Sequence, residues 1–297
     1  SCIIHGLITG NNLGFKFPVI QRDLLNPSEV KAISQNMPGA YELLPSRRYV
    51  AEAGGYVKDF RSGPSKTLSH DETVTLMISR TSDSRNSTLL SGAQTFHDVL
   101  DQQSITGPKV YNLAACGNAS TVGEIRLYDD GKIDIGSIDG DGTVPLASAV
   151  HLADGYVNYF AYSPSTGIDH GGLIKDARTV ALIQRLAEDV DFALLPGIGK
   201  SPQICSGDSQ TFRFSTHSPV ALHVYDSYGH HIGPAEDDSV DLGISGGSYA
   251  KLGENSFVFV PAGETYRVVI DSFAAGKFTF KAQVLEGSNI VASRNYI

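Results

Sequence analysis

The sequence predicts an α/β fold followed by a small antiparallel β-sandwich, and three observations carry that expectation. Two long segments before residue 200 place apolar residues at helical spacing. Short apolar runs that read as buried strands stand between them. Past about residue 200 the helical period ends, and short strands alternate with Gly, Asp and Pro turns.

The elements follow in order. Residues 1–25 form an apolar stub and a loop. Asn26-Pro27-Ser28-Glu29 is a helix start, because Asn26 can cap, Pro27 suits the first helical position and Glu29 can reach back; this helix should end before Pro38. Tyr41-Glu42-Leu43-Leu44-Pro45 is apolar enough to lie against another element. Residues 73–78 fit either a strand or a helix start. Residues 87–103 read as a helix with Leu89, Leu90, Ala93, Phe96, Val99 and Leu100 on one face. Residues 109–115 read as a buried strand. Ile125-Arg126-Leu127-Tyr128 and Lys132-Ile133-Asp134-Ile135 form a hairpin about Asp129-Asp130-Gly131. Residues 159–162 make a further strand. A helix over 173–190 follows, with Ala177, Val180, Ile183, Ala187 and Val190 toward a sheet. The boundary falls near residue 200, giving units 1–200 and 201–297. In the second unit 211–214, 220–225, 257–260, 266–270 and 278–284 are short strands.

Bulk properties narrow the function classes. The chain has 297 residues, 41% hydrophobic and 19% charged, with net charge -9. An acidic balance with no basic stripe argues against nucleic acid. No apolar run approaches the length needed to span a membrane as a helix. Cys2, Cys116 and Cys205 are too few and scattered for a disulfide framework or metal site, and read as free thiols. The opening Ser1-Cys2-Ile3-Ile4-His5-Gly6-Leu7 has no initiator methionine and no signal-peptide pattern, so the true start is expected upstream.

The chemistry concentrates in two motifs. Asp139-Gly140-Asp141-Gly142-Thr143-Val144-Pro145 puts a short carboxylate on a turn whose glycines permit a sharp reversal. Ile168-Asp169-His170-Gly171-Gly172 then puts a histidine between a strand and an amphipathic helix. An acid that orients an imidazole, in that chain order, is the back half of a nucleophile–acid–base triad. An ordinary Asp-Gly turn would account for the first motif alone; the second makes Asp141 and His170 the candidate acid and base. The remaining histidines read otherwise: His5, His70, His97, His151, His217 and His223 as surface or packing residues, His230-His231 as a turn.

These motifs resemble the C-terminal part of a lecithin:cholesterol acyltransferase-like α/β-hydrolase, in the lipase and acyltransferase group. Pro38-Gly39-Ala40-Tyr41-Glu42-Leu43-Leu44-Pro45, Gly140-Asp141-Gly142-Thr143-Val144-Pro145 and His170-Gly171-Gly172-Leu173 carry the resemblance, over roughly residues 5–190. It implies an incomplete α/β-hydrolase core, its C-terminal half with a lid-like insertion. It assigns Asp141 and His170 as catalytic, and sets Tyr41, Leu43 and Leu44 beside an acyl-binding pocket. No cofactor or metal is implied. The partner is an acyl ester or lipid, with peripheral membrane contact where the substrate is lipid.

The departure from the family pattern is the nucleophile. No Gly-x-Ser-x-Gly precedes Asp141, so the serine is expected upstream of this chain, and the chain alone is expected to be inactive. Gly243-Ile244-Ser245-Gly246-Gly247 matches formally but lies after the histidine among strands. Ser28-Glu29-Val30-Lys31 and Ser1 have no supporting context. Two rivals stand beside the enzyme. One is a non-catalytic carbohydrate- or protein-binding surface protein built on a degenerate hydrolase scaffold, using the sandwich. The other is a calcium module drawing on Asp129, Asp130, Asp134, Asp139 and Asp141. Glu236-Asp237-Asp238 with Asp241 reads as a solvated acidic loop, and Asn86-Ser87-Thr88 and Asn118-Ala119-Ser120 fit a glycosylation pattern. The sandwich tail hints at export.

Overall fold

A computed structural model describes residues 32–33, 35–79, 86–103, 107–129, 133–150, 156–162, 168–188, 193–205, 210–217, 219–236, 239–252, 255–287 and 289–296. The expected helix start at Asn26-Pro27-Ser28-Glu29, the Ser-x-x-Lys match and Ser1 lie outside these residues. The fold is mixed α/β with several sheets, and the later sheets are antiparallel.

The first layer is helical. Helix α1 (Pro38–Glu42) carries proline in its first turn, so Pro38 opens a helix as well as closing the preceding helical residues. Helix α2 (Arg47–Ala53) is capped by Ser46, whose hydroxyl accepts from the Tyr49 amide at 3.1 Å. Strands β1 (Val57–Asp59) and β2 (Lys66–Thr67) form a short antiparallel pair. The ambiguous apolar run at 73–78 is helical, within α3 (His70–Ser79). A reciprocal capping box decides it: the Glu72 amide donates to Ser69 Oγ at 3.2 Å, and the Ser69 amide donates to Glu72 Oε2 at 3.0 Å. Helix α4 (Ser87–Leu100) starts at Asn86, whose side chain accepts from the Leu89 amide.

The buried face of α4 is Leu90, Ala93 and His97, with His97 Nε2 bonded to the Glu42 carbonyl at 2.8 Å. Phe96, Val99 and Leu100, expected on the core face, are 44%, 53% and 52% exposed. The core lies one step round the helix because α1 packs on that side. There Tyr41, Leu44, Val57, Met77 and Leu90 close on Ile125, Leu127 and Ile133.

Strands β3 (Val110–Cys116), β4 (Val122–Leu127) and β5 (Ile133–Ser137) come next, with β4 and β5 antiparallel as expected of the hairpin. The hairpin joins β1, which pairs parallel with β4, in the order β2-β1-β4-β5. After the short helix α5 (Leu146–Ala149), β6 (Tyr156–Tyr162) pairs parallel with β3 along its whole length. Helix α6 (Ala177–Ala187) is capped by Asp176, and packs Leu182 against Tyr159 and Ile198. Its buried positions are Thr179 and Leu182. Val180 and Ile183, expected inward, are 46% and 57% exposed, again a neighbouring stripe of the same helix.

Strand β7 (Ile198–Gly199) pairs with β6, and a 3-10 helix (Pro202–Cys205) follows. Cys205 is disulfide-bonded to Cys116 at the end of β3, with Cα atoms 5.5 Å apart and 89 residues between them in sequence. The free-thiol expectation for these two is thus corrected, and residues 201–205 are tied to the N-terminal sheet. Nothing local in the sequence pairs two cysteines so far apart. Closing so long a loop restricts the unfolded chain, so Cys205→Ser is expected to cost about 2–5 kcal/mol. A urea midpoint that matches wild type under oxidising conditions would show that the bond does not bear on stability.

Nine strands follow among the described residues: β8 (Gln210–His217), β9 (Val220–Tyr225), β10 (His231–Pro234), β11 (Val240–Leu242), β12 (Ser248–Leu252), β13 (Asn255–Pro261), β14 (Arg267–Ser272), β15 (Thr279–Glu286) and β16 (Asn289–Tyr296). They form two antiparallel sheets, β11-β10-β9-β14 and β12-β13-β8-β15-β16, over one core of Phe214, Leu222, Val224, Ile232, Val258 and Val260.

The outer face of the larger sheet is covered by the β4–β5 hairpin. Ile135 packs on Phe257, Phe259 and Leu285. Arg213, 1% exposed, donates from Nη1 to the Ile135 carbonyl at 3.1 Å, and from Nε and Nη2 to Gln283 Oε1 at 2.8 and 2.6 Å. Asn255 Nδ2 donates to the Ile133 carbonyl at 2.6 Å, and Lys281 Nζ pairs with Asp134 Oδ2 at 3.2 Å. Burial raises the Asp134 carboxyl, but Lys281, Arg213 and the Ile135 amide outweigh it and hold the group below its ordinary range.

Candidate active site

The hairpin returns the chain to the C-terminal end of β3. Beyond β5, the Gly140 carbonyl accepts from the Asn118 amide at 3.0 Å, and Asp141 bridges Asn118 in parallel. Gly140 also bridges Pro145, and the Asp141 amide donates to the Val144 carbonyl at 3.3 Å, closing a tight loop. Both glycines are required here. A Cβ on Gly140 would lie 2.3 Å from the Val144 carbonyl oxygen, and Gly142 has φ +92°. The Gly142 amide is held by the buried Thr121 hydroxyl at 2.8 Å. Asp139 Oδ1 accepts from the Gly117 amide at 2.6 Å. Burial raises its carboxyl, partly offset by the amides of Gly117 and Gly140.

Asp141 is buried with both oxygens engaged. Oδ1 accepts from the amides of Thr143 and Val144 at 2.9 and 2.7 Å, which fixes the carboxylate plane. Oδ2 meets His170 Nδ1 at 2.9 Å. The pair is doubly registered, because the His170 amide also donates to the Asp141 carbonyl at 3.0 Å.

His170 opens the turn after β6. Ile168 anchors that turn against Ala115 and Ala161, and Asp169 Oδ1 accepts from the Gly172 amide at 2.6 Å. The imidazole is 53% exposed while the Asp141 side chain is 7% exposed. A neutral ring that donates Nδ1–H to Asp141 keeps Nε2 as its acceptor nitrogen. Among the described residues no hydroxyl or thiol is hydrogen-bonded to it. The two residues thus meet where the parallel strands β3 and β6 end, the side on which parallel sheets place their ligands.

Other expected residues are placed elsewhere. Tyr41 is 1% exposed in the helical core, with its hydroxyl donating to the Gln35 carbonyl and accepting from the Asn86 amide. Leu44 is buried in the same core, so neither presents surface to an acyl chain; Leu43 is 64% exposed. The apolarity of Tyr41 and Leu44 serves the core they share with Leu90 and Ala93. A cleft of about 540 Å³ is lined by Leu146, Val150, Tyr156, Phe160, Lys200 and Pro202, without Asp141 or His170.

The Gly243-Ile244-Ser245-Gly246-Gly247 match turns between β11 and β12. Ile244 is buried in the core, and a Cβ on Gly247 would lie 2.3 Å from Ile232 Cδ1, so these glycines serve packing. Among the described residues no three or more His, Cys, Asp or Glu side chains converge to enclose a metal. The candidate calcium ligands are spent otherwise: Asp134 on Lys281, Asp139 on Gly117, Asp141 on His170. Asp130, Asp237 and Asp238 lie outside the described residues.

Sequence reasoning missed His231, read as part of a turn. It begins β10 and bonds to His223 across the sheet. Burial alternates along β9, with Leu222 and Val224 inward, and this puts His223 on the other face. Set against family models, curated proteins and solved structures, the chain matches none.

Proposed function

We propose that this chain supplies the acid and base of a serine-dependent acyl-ester hydrolase or O-acyltransferase. In this reading residues 38–205 belong to an α/β-hydrolase core with a lid-like helical insertion, and β8–β16 form an appended β-sandwich. The observation that carries it is the 2.9 Å contact between His170 Nδ1 and Asp141 Oδ2 at the ends of adjacent parallel strands.

The chemistry follows from which nitrogen is free. In this reading a serine upstream of this chain attacks the ester carbonyl, and its proton passes to His170 Nε2. Asp141 Oδ2 stabilises the imidazolium and keeps the ring in its orientation. The imidazolium returns the proton to the leaving alkoxide, and an acyl-enzyme remains. Water or an alcohol, deprotonated by the same nitrogen, then releases the acyl group. Ile174, on the turn that His170 opens, is 76% exposed and supports an apolar acyl substrate and contact with a lipid surface. The Cys116–Cys205 bond supports an oxidising compartment.

The test is labelling with a fluorophosphonate probe. The gene's full product should be labelled on one serine, and His170→Ala should abolish labelling while the protein stays folded. The 297-residue chain by itself should hydrolyse no p-nitrophenyl ester. A folded full product that never labels would overturn the reading. Turnover by the chain alone that His170→Ala removes would overturn the external serine.

A further inference from the structure

We propose that the loop between β14 and β15, residues Phe273 to Phe278, docks the sandwich on an anionic phospholipid surface by inserting its two phenylalanines. The loop lies apart from Asp141 and His170, and the proposal does not rest on the acyl chemistry given to them.

The register places the loop. Ser272 at the end of β14 lies opposite Val220, and Thr279 at the start of β15 lies opposite His217. The chain from Phe273 to Phe278 therefore crosses from the smaller sheet to the larger one at the end where β8 turns into β9. It is held there by its own backbone. The Phe273 amide donates to the Pro219 carbonyl at 3.2 Å, and the Ser272 hydroxyl donates to the Ala274 carbonyl at 2.7 Å. Gly276 lies against the Pro219 ring, where a Cβ would come 3.3 Å from Cγ. Tyr296, the last residue of β16, faces Phe280 at the same end with ring centroids 5.7 Å apart.

The composition is the reverse of an ordinary turn, where Gly, Pro, Asn, Asp and Ser dominate. Phe273-Ala274-Ala275-Gly276-Lys277-Phe278 holds phenylalanines, alanines, a glycine and a cation, with no acid. The whole loop is exposed, Phe273 by 66%, and so is Tyr296. The turns at the opposite end of the same strands carry acids, Asp226 after β9 and Glu264 after β13. Exposed aromatic surface is costly in water and stable in an apolar phase, so a loop fixed with two phenylalanines outward is built to meet one.

The chemistry favours lipid over protein. A specific protein interface buries roughly 800 Å² on each partner, and this tip is a single short loop. A bilayer needs only the tip: aromatic rings settle at headgroup level, and a neighbouring ammonium reaches the phosphates. Lys277, next to Phe278, supplies that ammonium. Asp271, two residues before the loop, is turned to His223 Nε2 at 3.6 Å. The net charge of -9 opposes approach to an anionic surface, but salt limits that repulsion to about 8 Å, so the charge at the tip decides. Because the loop is already folded, docking orders little new chain.

The experiment uses the purified chain and extruded vesicles, without substrate. The chain has no tryptophan, so Phe273→Trp adds a single reporter at the tip. Its emission should shift to the blue on vesicles containing about one-third phosphatidylserine, and acyl chains brominated near the headgroup should quench it. In co-sedimentation, Phe273→Ser and Phe278→Ser should each weaken binding about tenfold while melting as the parent does. Lys277→Glu should weaken binding to those vesicles about tenfold, and to phosphatidylcholine alone far less. Ile174→Trp is the companion reporter, since Ile174 is exposed on the turn that His170 opens. A blue shift there with a silent Phe273→Trp would overturn the loop and move the contact to the His170 turn. A chain that stays in the supernatant overturns the proposal too, as does binding unchanged in both folded serine variants. None of these readouts depends on acyl transfer, which the fluorophosphonate label tests separately.

Discussion

His170→Ala, made in the full gene product, is expected to lower acyl-ester turnover by about 10⁴–10⁶-fold, the range seen when the base of a triad is removed. The loss should fall on kcat, because in the proposed mechanism the imidazole moves protons and binds no remote part of the substrate. Asp141→Asn should cost about 10⁴-fold by a different route. The amide preserves size, and Oδ1 can still accept from Thr143 and Val144. It would then turn an NH₂ group toward His170 Nδ1, which inverts the tautomer and leaves Nε2 protonated and unable to act as base. A stopped-flow or steady-state comparison of the two variants checks both figures. Near-wild-type turnover in Asp141→Asn would remove the carboxylate from the mechanism.

Arg213→Ala is expected to destabilise the fold by about 3–5 kcal/mol, the cost of leaving a buried charge network broken. The guanidinium holds β8, β15 and β5 through Gln283 and the Ile135 carbonyl, and its field stabilises Asp134. Urea unfolding measures it; a change under 1 kcal/mol would mean that water replaces those bonds. The same network sets an acid limit. Asp134 has a folded pKa below its unfolded value, so its contribution is complete above about pH 4. That contribution is lost as pH falls through the folded value. In Arg213→Ala or Lys281→Met the depression shrinks, and the acid-dependent part of the stability should shrink with it.

How much could be read in advance depended on how local the cause was. The Asp141 loop was legible because a carbonyl 2.3 Å from a would-be Cβ admits only glycine at 140, and a left-handed φ favours glycine at 142. His170 was legible because a histidine on a turn between a strand and a helix has no packing partner. The hairpin and the late strands were legible from alternation and turn residues. The capping box at Ser69 and Glu72 was equally local, yet the apolar run at 73–78 alone did not reveal it.

Neighbouring stripes of one helix have similar apolarity, so the inward faces of α4 and α6 depended on where other elements docked. The same holds for Tyr41, whose motif suggested a pocket while its contacts make it core. The pairing of Cys116 with Cys205 required two ends of the chain to meet.

Taken by itself, the sequence determined the strand and helix periods, the glycine-bound turn at Asp141 and the order of Asp141 before His170. These are set by backbone sterics and side-chain alternation within a few residues. Tertiary structure alone decided what each outer face meets. In β8, alternation puts Phe212 and Phe214 toward the core and Arg213 on the opposite side, where solvent would be expected. The β4–β5 hairpin covers that side, and a charged residue becomes one of the most buried among the described residues. Burial belongs to the surface that arrives, and no residue's own neighbours encode it.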